Sequence, residues 1–161
     1  MFGDMAATDK KKLEAQFTSF VKEIKRQGLR WTRFDIADLP AVIAIDDRNP
    51  EQITVKAHMP AMKSTEIGHA FATGKDGEFA INDIYVVTGY FVSEIRSKLL
   101  EGVLSAIEKY DPALIDGQFE YVANTFSGFK ETFKKYGFAV SVEGDKWVNV
   151  FKEYPKELTE K

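Results

Sequence analysis

The chain has 161 residues and a mass near 18.2 kDa, with 44% hydrophobic and 29% charged residues, the composition of one globular domain. It has no cysteine, which excludes disulfides, thiolate nucleophiles, iron–sulfur clusters and thiolate zinc sites; its two histidines, His58 and His69, lack an acidic partner at metal-ligand spacing, so no metal is expected. A net charge of −3 and a pI near 5.5 lack the basic footprint of a nucleic-acid binder.

The opening stretch, MFGDMAATDKKK, does not have the basic-then-apolar order of a secretory signal. The longest apolar run, Leu39 to Ile45, falls far short of the ~20 residues of a membrane span. A cytoplasmic protein with no membrane partner is the resulting expectation.

In chain order, residues 1–8 read as a flexible N-terminus and residues 9–28 as an amphipathic helix. Leu13, Phe17, Phe20, Val21 and Ile24 make its apolar stripe, lysines decorate the rest, and Gly28 stands just past the end. A short strand follows at Arg30–Asp35. Asp38 then suits the cap of a short helix over Leu39–Asp46, with Pro40 in its tolerant first turn.

Alternating segments at Ile53–Met59, Glu66–Thr73 and Glu78–Val87 predict three strands, the last two joined by the turn Gly74-Lys75-Asp76-Gly77. On the third, Phe79, Ile81 and Tyr85 fall on one face and Ala80, Ile84 and Val86 on the other, a pattern for a strand covered on both sides. The strongest periodicity is a helix over 94–110, with Ser93 as its cap and Asp111-Pro112 as its stop. A strand at Gln118–Ala123, a helix at Gly128–Tyr136 and a hairpin of Ala139–Val142 with Trp147–Phe151 complete the domain, and residues 153–161 read as a frayed tail. The sum is a mixed α/β domain with one central sheet and helices on both faces.

The order and spacing of several segments resemble the GNAT N-acetyltransferase superfamily across residues 30–152. Asp35–Val42 resembles the family's opening strand-to-helix turn, and Ile67-Gly68-His69-Ala70-Phe71-Ala72 its "ivGfa" strand. Ile84-Tyr85-Val86 and Ser97-Lys98-Leu99-Leu100 match the two ends of its core motif. Asn124 with Tyr136-Gly137-Phe138 is similar to its late "N…Y.k.GF" signature. The resemblance implies a partly splayed sheet, with the helix at 9–28 as an addition, and an acetyl-CoA site after the central strand. There an R/Q-x-x-G-x-G loop closes its N–H groups on the pyrophosphate, helped by the helix dipole.

In this chain that loop reads Phe91-Val92-Ser93-Glu94-Ile95-Arg96. Phe91 replaces the leading Arg/Gln, and Glu94 and Arg96 replace the glycines. A first-turn carboxylate takes the favourable potential for itself and repels phosphate, or it is simply a good residue for the start of a surface helix. Phe133 holds the position where members of the family place a proton-donating tyrosine. Tyr136 is on another face of that helix and reads as packing. Asn124 lies two residues too far from Gly137-Phe138. The resemblance also implies two helices between the first strand and the Ile53 strand, where only about eighteen residues are available.

Two functions follow. In the first, this is a degenerate GNAT-like module, a pseudoenzyme that needs no cofactor and binds a protein partner or a second copy of itself. Residues 1–34 carry +4 against −7 for the remainder, which suits docking on an acidic surface or is merely a solvated helix face, and Phe91, Phe126 and Phe129 are candidate exposed anchors. The late signature also resembles some internal virion or accessory proteins of short-tailed phages, which implies a phage-encoded protein in a host cytoplasm as one setting. In the second, it is an acyl-CoA-dependent N-acetyltransferase with an atypical loop. Glu78 and Asp83 are then the candidate bases, and Val86, Val87, Ser93, Arg96, Ser97, Lys98 and Asn124 the candidate acetyl-CoA contacts. Solvated surface groups are the plainer role for Glu78 and Asp83, and packing for His58 and His69. Nucleic-acid binding is disfavoured by charge.

Overall fold

The computed structural model describes residues 7–62, 66–87, 91–120, 130–144 and 146–155. Helix α1 (Ala7–Arg26) is followed by strands β1 (Arg30–Ile36), β2 (Leu39–Asp46), β3 (Ile53–His58), β4 (Glu66–Lys75) and β5 (Glu78–Val86). Then come helix α2 (Val92–Glu108), β6 (Leu114–Glu120), a helical segment α3 at 130–135, and the hairpin β7 (Ala139–Glu143) with β8 (Trp147–Glu153). The eight strands form one open sheet in the order β1-β2-β3-β4-β5-β6-β8-β7, with α1 and α2 on opposite faces. Among the described residues no helix is long and apolar enough to cross a membrane.

α1 forms where the apolar stripe predicts it. Phe17, Val21 and Ile24 are buried against Val42 and Ala44, in a small cluster of their own. Gly28 has φ +78°, its N–H bonds to the Lys25 carbonyl, and the Leu29 N–H reaches back to Ile24. This double bond around a left-handed residue ends the helix and seats Leu29 against the same cluster.

The predicted helix over Leu39–Asp46 is a strand. Ala37 and Asp38, at φ 48° and 67°, make a two-residue hairpin turn, so Asp38 caps nothing and Ile36 pairs with Leu39. Asp35–Val42 is accordingly a β-hairpin and not a strand-to-helix turn. The run is apolar throughout because β2 is covered on both faces: Val42 and Ala44 meet α1, while Ala41, Ile43 and Ile45 enter the main core. Pro40 is tolerated because pairing with β3 begins only at Val42.

α2 runs along the other face. Leu99, Leu100, Val103 and Ile107 have no exposed surface, and they pack with Val55, Ile81 and Ile115. Gly102 is required there, because a Cβ would lie 2.9 Å from Val55 and 3.1 Å from Ile43. The helix starts at Val92, with Phe91 as its cap residue in the left-handed region at φ 69° and without a side-chain cap bond. Ser93 therefore lies inside the first turn and is not the cap.

A bulge sets the faces of β4 and β5. The β4–β5 register shifts between Phe71 and Ala72, leaving Asn82 as an extra residue opposite them. Phe79 and Ile81 are buried before this bulge, and Ile84 and Val86 pack on the core after it. Tyr85 turns outward, so the predicted shared face of Phe79, Ile81 and Tyr85 is broken at Asn82. β6 begins at Leu114, four residues before the predicted strand; positions 121–129 lie outside the described residues. The tail is anchored at its start: the Tyr154 N–H bonds the Ala113 carbonyl, and its hydroxyl donates to Glu108 at 2.5 Å.

Candidate functional site

The sheet opens at its centre. β5 and β6 are parallel and pair only from Glu78–Leu114 to Ile81–Gly117. Beyond that, Asp83–Val86 pairs with β4 alone and Gln118–Glu120 with β8 alone, so the two strands part. α2 starts just past the end of β5, which places its first turn beside the opening.

A surface groove of about 440 Å³ lies along that first turn. It is lined by Ser93, Glu94, Ser97, Lys98 and Glu101 of α2, with Phe91 before it and Lys135 from α3. Of the predicted coenzyme contacts, Ser93, Ser97 and Lys98 thus gather in one place. Arg96 does not join them, since it is only 8% exposed and points into the protein. Val86 packs on the core, Val87 is exposed, and Asn124 lies outside the described residues, as do Phe126 and Phe129. Phe91 is 41% exposed at the mouth of the groove.

The groove carries charge of both signs. Glu94 is exposed in the first turn, where the helix dipole already stabilises its charge. Glu101 adds a second carboxylate and holds Lys98 at 3.5 Å, which leaves Lys135 to set against Glu94. No glycine lets the backbone of 91–96 close on an anion.

Phe133 and Tyr136 sit in different surroundings. Phe133 is fully buried, 5.7 Å from the Phe119 ring and edge-on to Phe138 at 5.1 Å, and belongs to the core. Tyr136 follows α3 and packs partly on that core while its hydroxyl donates to Glu101. Burial, then the Glu101 carboxylate, raises the phenol above its ordinary range, and Ser97 opposes them weakly. Lys152 donates to the Tyr136 carbonyl at 2.8 Å, so Tyr136 ties α2, α3 and the final hairpin together.

The two candidate bases are separated. Glu78 stands at the start of β5, beside Glu51, Thr73, Lys75 and Asp116, at the paired end of the strand. Asp83 stands at the opening, about 16 Å farther along at the usual rise per residue. Its carboxylate lies 3.0 Å from His69 Nε2. His69 Nδ1 faces Glu66 at 3.4 Å, and the ring stacks on Phe71 at 4.7 Å with Tyr85 at 5.4 Å. This cluster on the α1-side face of β4 and β5 was missed from sequence, because a period of two cannot show which residues oppose one another across strands. His58 lies on the same face beneath α1, its ring 4.9 Å from Phe20. Among the described residues no group of three or more acidic or histidine side chains is arranged to hold a metal ion.

No known family profile and no curated protein matches the sequence. Solved structures do match. The ribosomal-protein-S18-alanine N-acetyltransferase from Escherichia coli superposes with a TM-score of 0.53 at 13% identity, over 71% of this chain and 77% of that one. The aminoglycoside 6′-N-acetyltransferase from Enterococcus faecium gives 0.52 at 15% identity, over 68% and 77%. A GNAT family acetyltransferase from Elizabethkingia anophelis with acetyl-CoA bound gives 0.50 at 15% identity, over 65% and 77%. The chain therefore carries the GNAT acetyltransferase fold.

Proposed function

We propose that this GNAT-fold protein has lost acetyl-CoA chemistry and works as a binding or accessory module. The observation that carries this reading is the pair of carboxylates, Glu94 and Glu101, in the groove at the start of α2, with Arg96 turned inward. A doubly charged pyrophosphate would meet like charge at the dipole end that should attract it. Position 133 agrees, since it holds a phenylalanine, which has no proton to donate, sealed in the core. The acceptor side agrees as well. β1 turns directly into β2, and β2 reaches β3 through residues 47–52, so no helix on those connections walls a substrate cleft.

The partner we infer is a protein with an acidic surface, or a second copy of the chain. The outward side of α1 exposes Lys11, Lys22 and Lys25, whereas two of its acidic residues are engaged, Glu14 by Arg33 at 2.6 Å and Glu23 by Arg26 at 3.0 Å. A phage-encoded setting fits an accessory role of this kind.

One observation favours a second reading, an N-acetyltransferase with an atypical loop. The His69–Asp83 pair stands where β5 parts from β6, placed to take a proton from an ammonium group. Calorimetric and thermal-shift titration with acetyl-CoA and coenzyme A decides between them. No binding at millimolar coenzyme is expected. Micromolar affinity would overturn the module reading and make amine acceptors the next assay.

A further inference from the structure

α1 and α2 are seated differently. α2 belongs to the main core, whereas the buried residues of α1 rest on a separate small cluster; Leu13 packs at the edge of the main core and Phe20 meets His58. Between helix and sheet runs a groove of about 330 Å³, whose lining includes Phe20, Glu23, Gln27, Asp46, Lys56 and His58.

His58 Nδ1 is buried there with no hydrogen-bond partner among the described residues. The neutral ring, with its proton on Nε2, is the form this packing accepts. Protonation adds an N–H with no acceptor at Nδ1 among the described residues, and a full charge that burial disfavours. The charged groups around it are Lys56 on its own strand, Glu66 across on β4, Glu23 on α1 and Asp46 on β2. Each carboxylate already has a partner: Glu66 holds Lys56 at 3.6 Å and His69 at 3.4 Å, Glu23 holds Arg26, and Asp46 holds Arg48 at 2.8 Å. Burial keeps the imidazole below its ordinary range; Glu66 pulls the other way and Lys56 reinforces burial.

We propose that α1 is a pH-gated strap: protonation of His58 unseats the helix from the sheet while α2 and the strands stay folded. The separate cluster and the glycine-ended link at Gly28 let the helix leave as a unit. Its departure uncovers Val42, Ala44 and Trp31, an apolar strip on the β1–β2 hairpin that is closed at neutral pH. The strap does not depend on whether coenzyme binds.

Trp31 reports the event, because Phe17 meets it edge-on at 6.1 Å and Lys25 lies over it at 5.7 Å. The test follows Trp31 emission in a Trp147→Phe background from about pH 7.5 to about pH 5, across the range where imidazole titrates. Hydrogen exchange of α1 and α2, corrected for intrinsic rates, is measured in parallel. A red shift is expected as the pH falls below about 6.5, with α1 amides losing protection roughly tenfold or more while those of α2 keep it. The transition should persist in His69→Gln and vanish in His58→Phe and His58→Gln. The glutamine variant keeps a polar group at the site if phenylalanine disturbs folding. A transition that survives both His58 variants, that takes α2 with it, or that is absent from the parent protein overturns the strap.

Discussion

Asp83 Oδ2 lies 3.0 Å from His69 Nε2, two residues beyond the last pair that joins β5 to β6. The pair bridges β4 and β5 on the face opposite α2, between the exposed rings of Phe71 and Tyr85. Its Asp83 side chain is 50% exposed, so water screens the attraction and neither group pins the fold. Asp83→Asn should change stability by no more than about 0.5 kcal/mol in urea denaturation. A much larger loss would make the pair a structural tie and remove it as a candidate for binding or proton transfer.

Phe133 gives the opposite expectation. A hydroxyl added to this fully buried ring, packed with Phe119 and Phe138, has to leave water for an apolar core. Phe133→Tyr should cost about 1–3 kcal/mol, which lowers Tm by roughly 3–10 °C for a domain of this size. Restoring the tyrosine should therefore not restore chemistry. A variant as stable as the parent, with new turnover of acetyl-CoA, would show that position 133 opens to the splay.

The two lost glycine positions separate in the same way. Glu94 is exposed and Arg96 is buried. Glu94→Gly should cost about 1 kcal/mol of helix propensity at most and raise the affinity for coenzyme A, read by calorimetry. Arg96→Gly should cost more, about 2–3 kcal/mol, since it adds the lost packing of a buried stem to the same propensity term. Equal stability losses would contradict the inward placement of Arg96. No gain of affinity in Glu94→Gly would weaken the argument that its carboxylate excludes the coenzyme.

Much of this was legible in the sequence because helices and strands bury stripes of different period. α1, α2, the hairpin turn at Asp76-Gly77 and the final hairpin all appear near their predicted places. β2 did not, because a strand buried on both faces loses its alternation, and an unbroken apolar run behind an aspartate and a proline reads equally well as a helix. The Asn82 bulge was also invisible, since one extra residue shifts every later side chain to the other face without changing composition. At the candidate site, the missing glycines and the missing tyrosine were readable one position at a time. The burial of Arg96 and the meeting of His69 with Asp83 were not, because both are set by tertiary packing.

The β1–β2 turn can be tested directly. Ala37 and Asp38 both hold positive φ, which suits asparagine and glycine far better than alanine. Ala37→Asn with Asp38→Gly should raise stability by about 1 kcal/mol, seen as a higher urea midpoint with an unchanged slope. A short helix capped by Asp38 would instead be weakened by glycine at that position, so a lower midpoint would favour the helix.

Asp47 should dominate the acid limb of the stability curve. Its side chain is 5% exposed, and it accepts from Arg30 at 2.6 Å and Lys109 at 3.1 Å, joining the start of β1 to the end of α2. Tyr110 donates its hydroxyl to the Asp47 carbonyl at the same junction. Burial alone would raise this carboxyl, but the bonds from Arg30 and then Lys109 outweigh it and hold it below its ordinary value of 3.8. The folded chain therefore releases this proton more readily than the unfolded one. The stabilisation is complete above that ordinary value and is lost as pH falls through the lower folded value. Asp47→Asn should cost about 1.5–3 kcal/mol near neutral pH, the value of hydrogen bonds to a charged group whose cationic partners can return to water. Urea titrations of both proteins at stepped pH should show the gap between them narrowing only below about pH 4. A gap that is constant down to strongly acid pH would mean that the charge of Asp47 contributes nothing and its shape alone is needed.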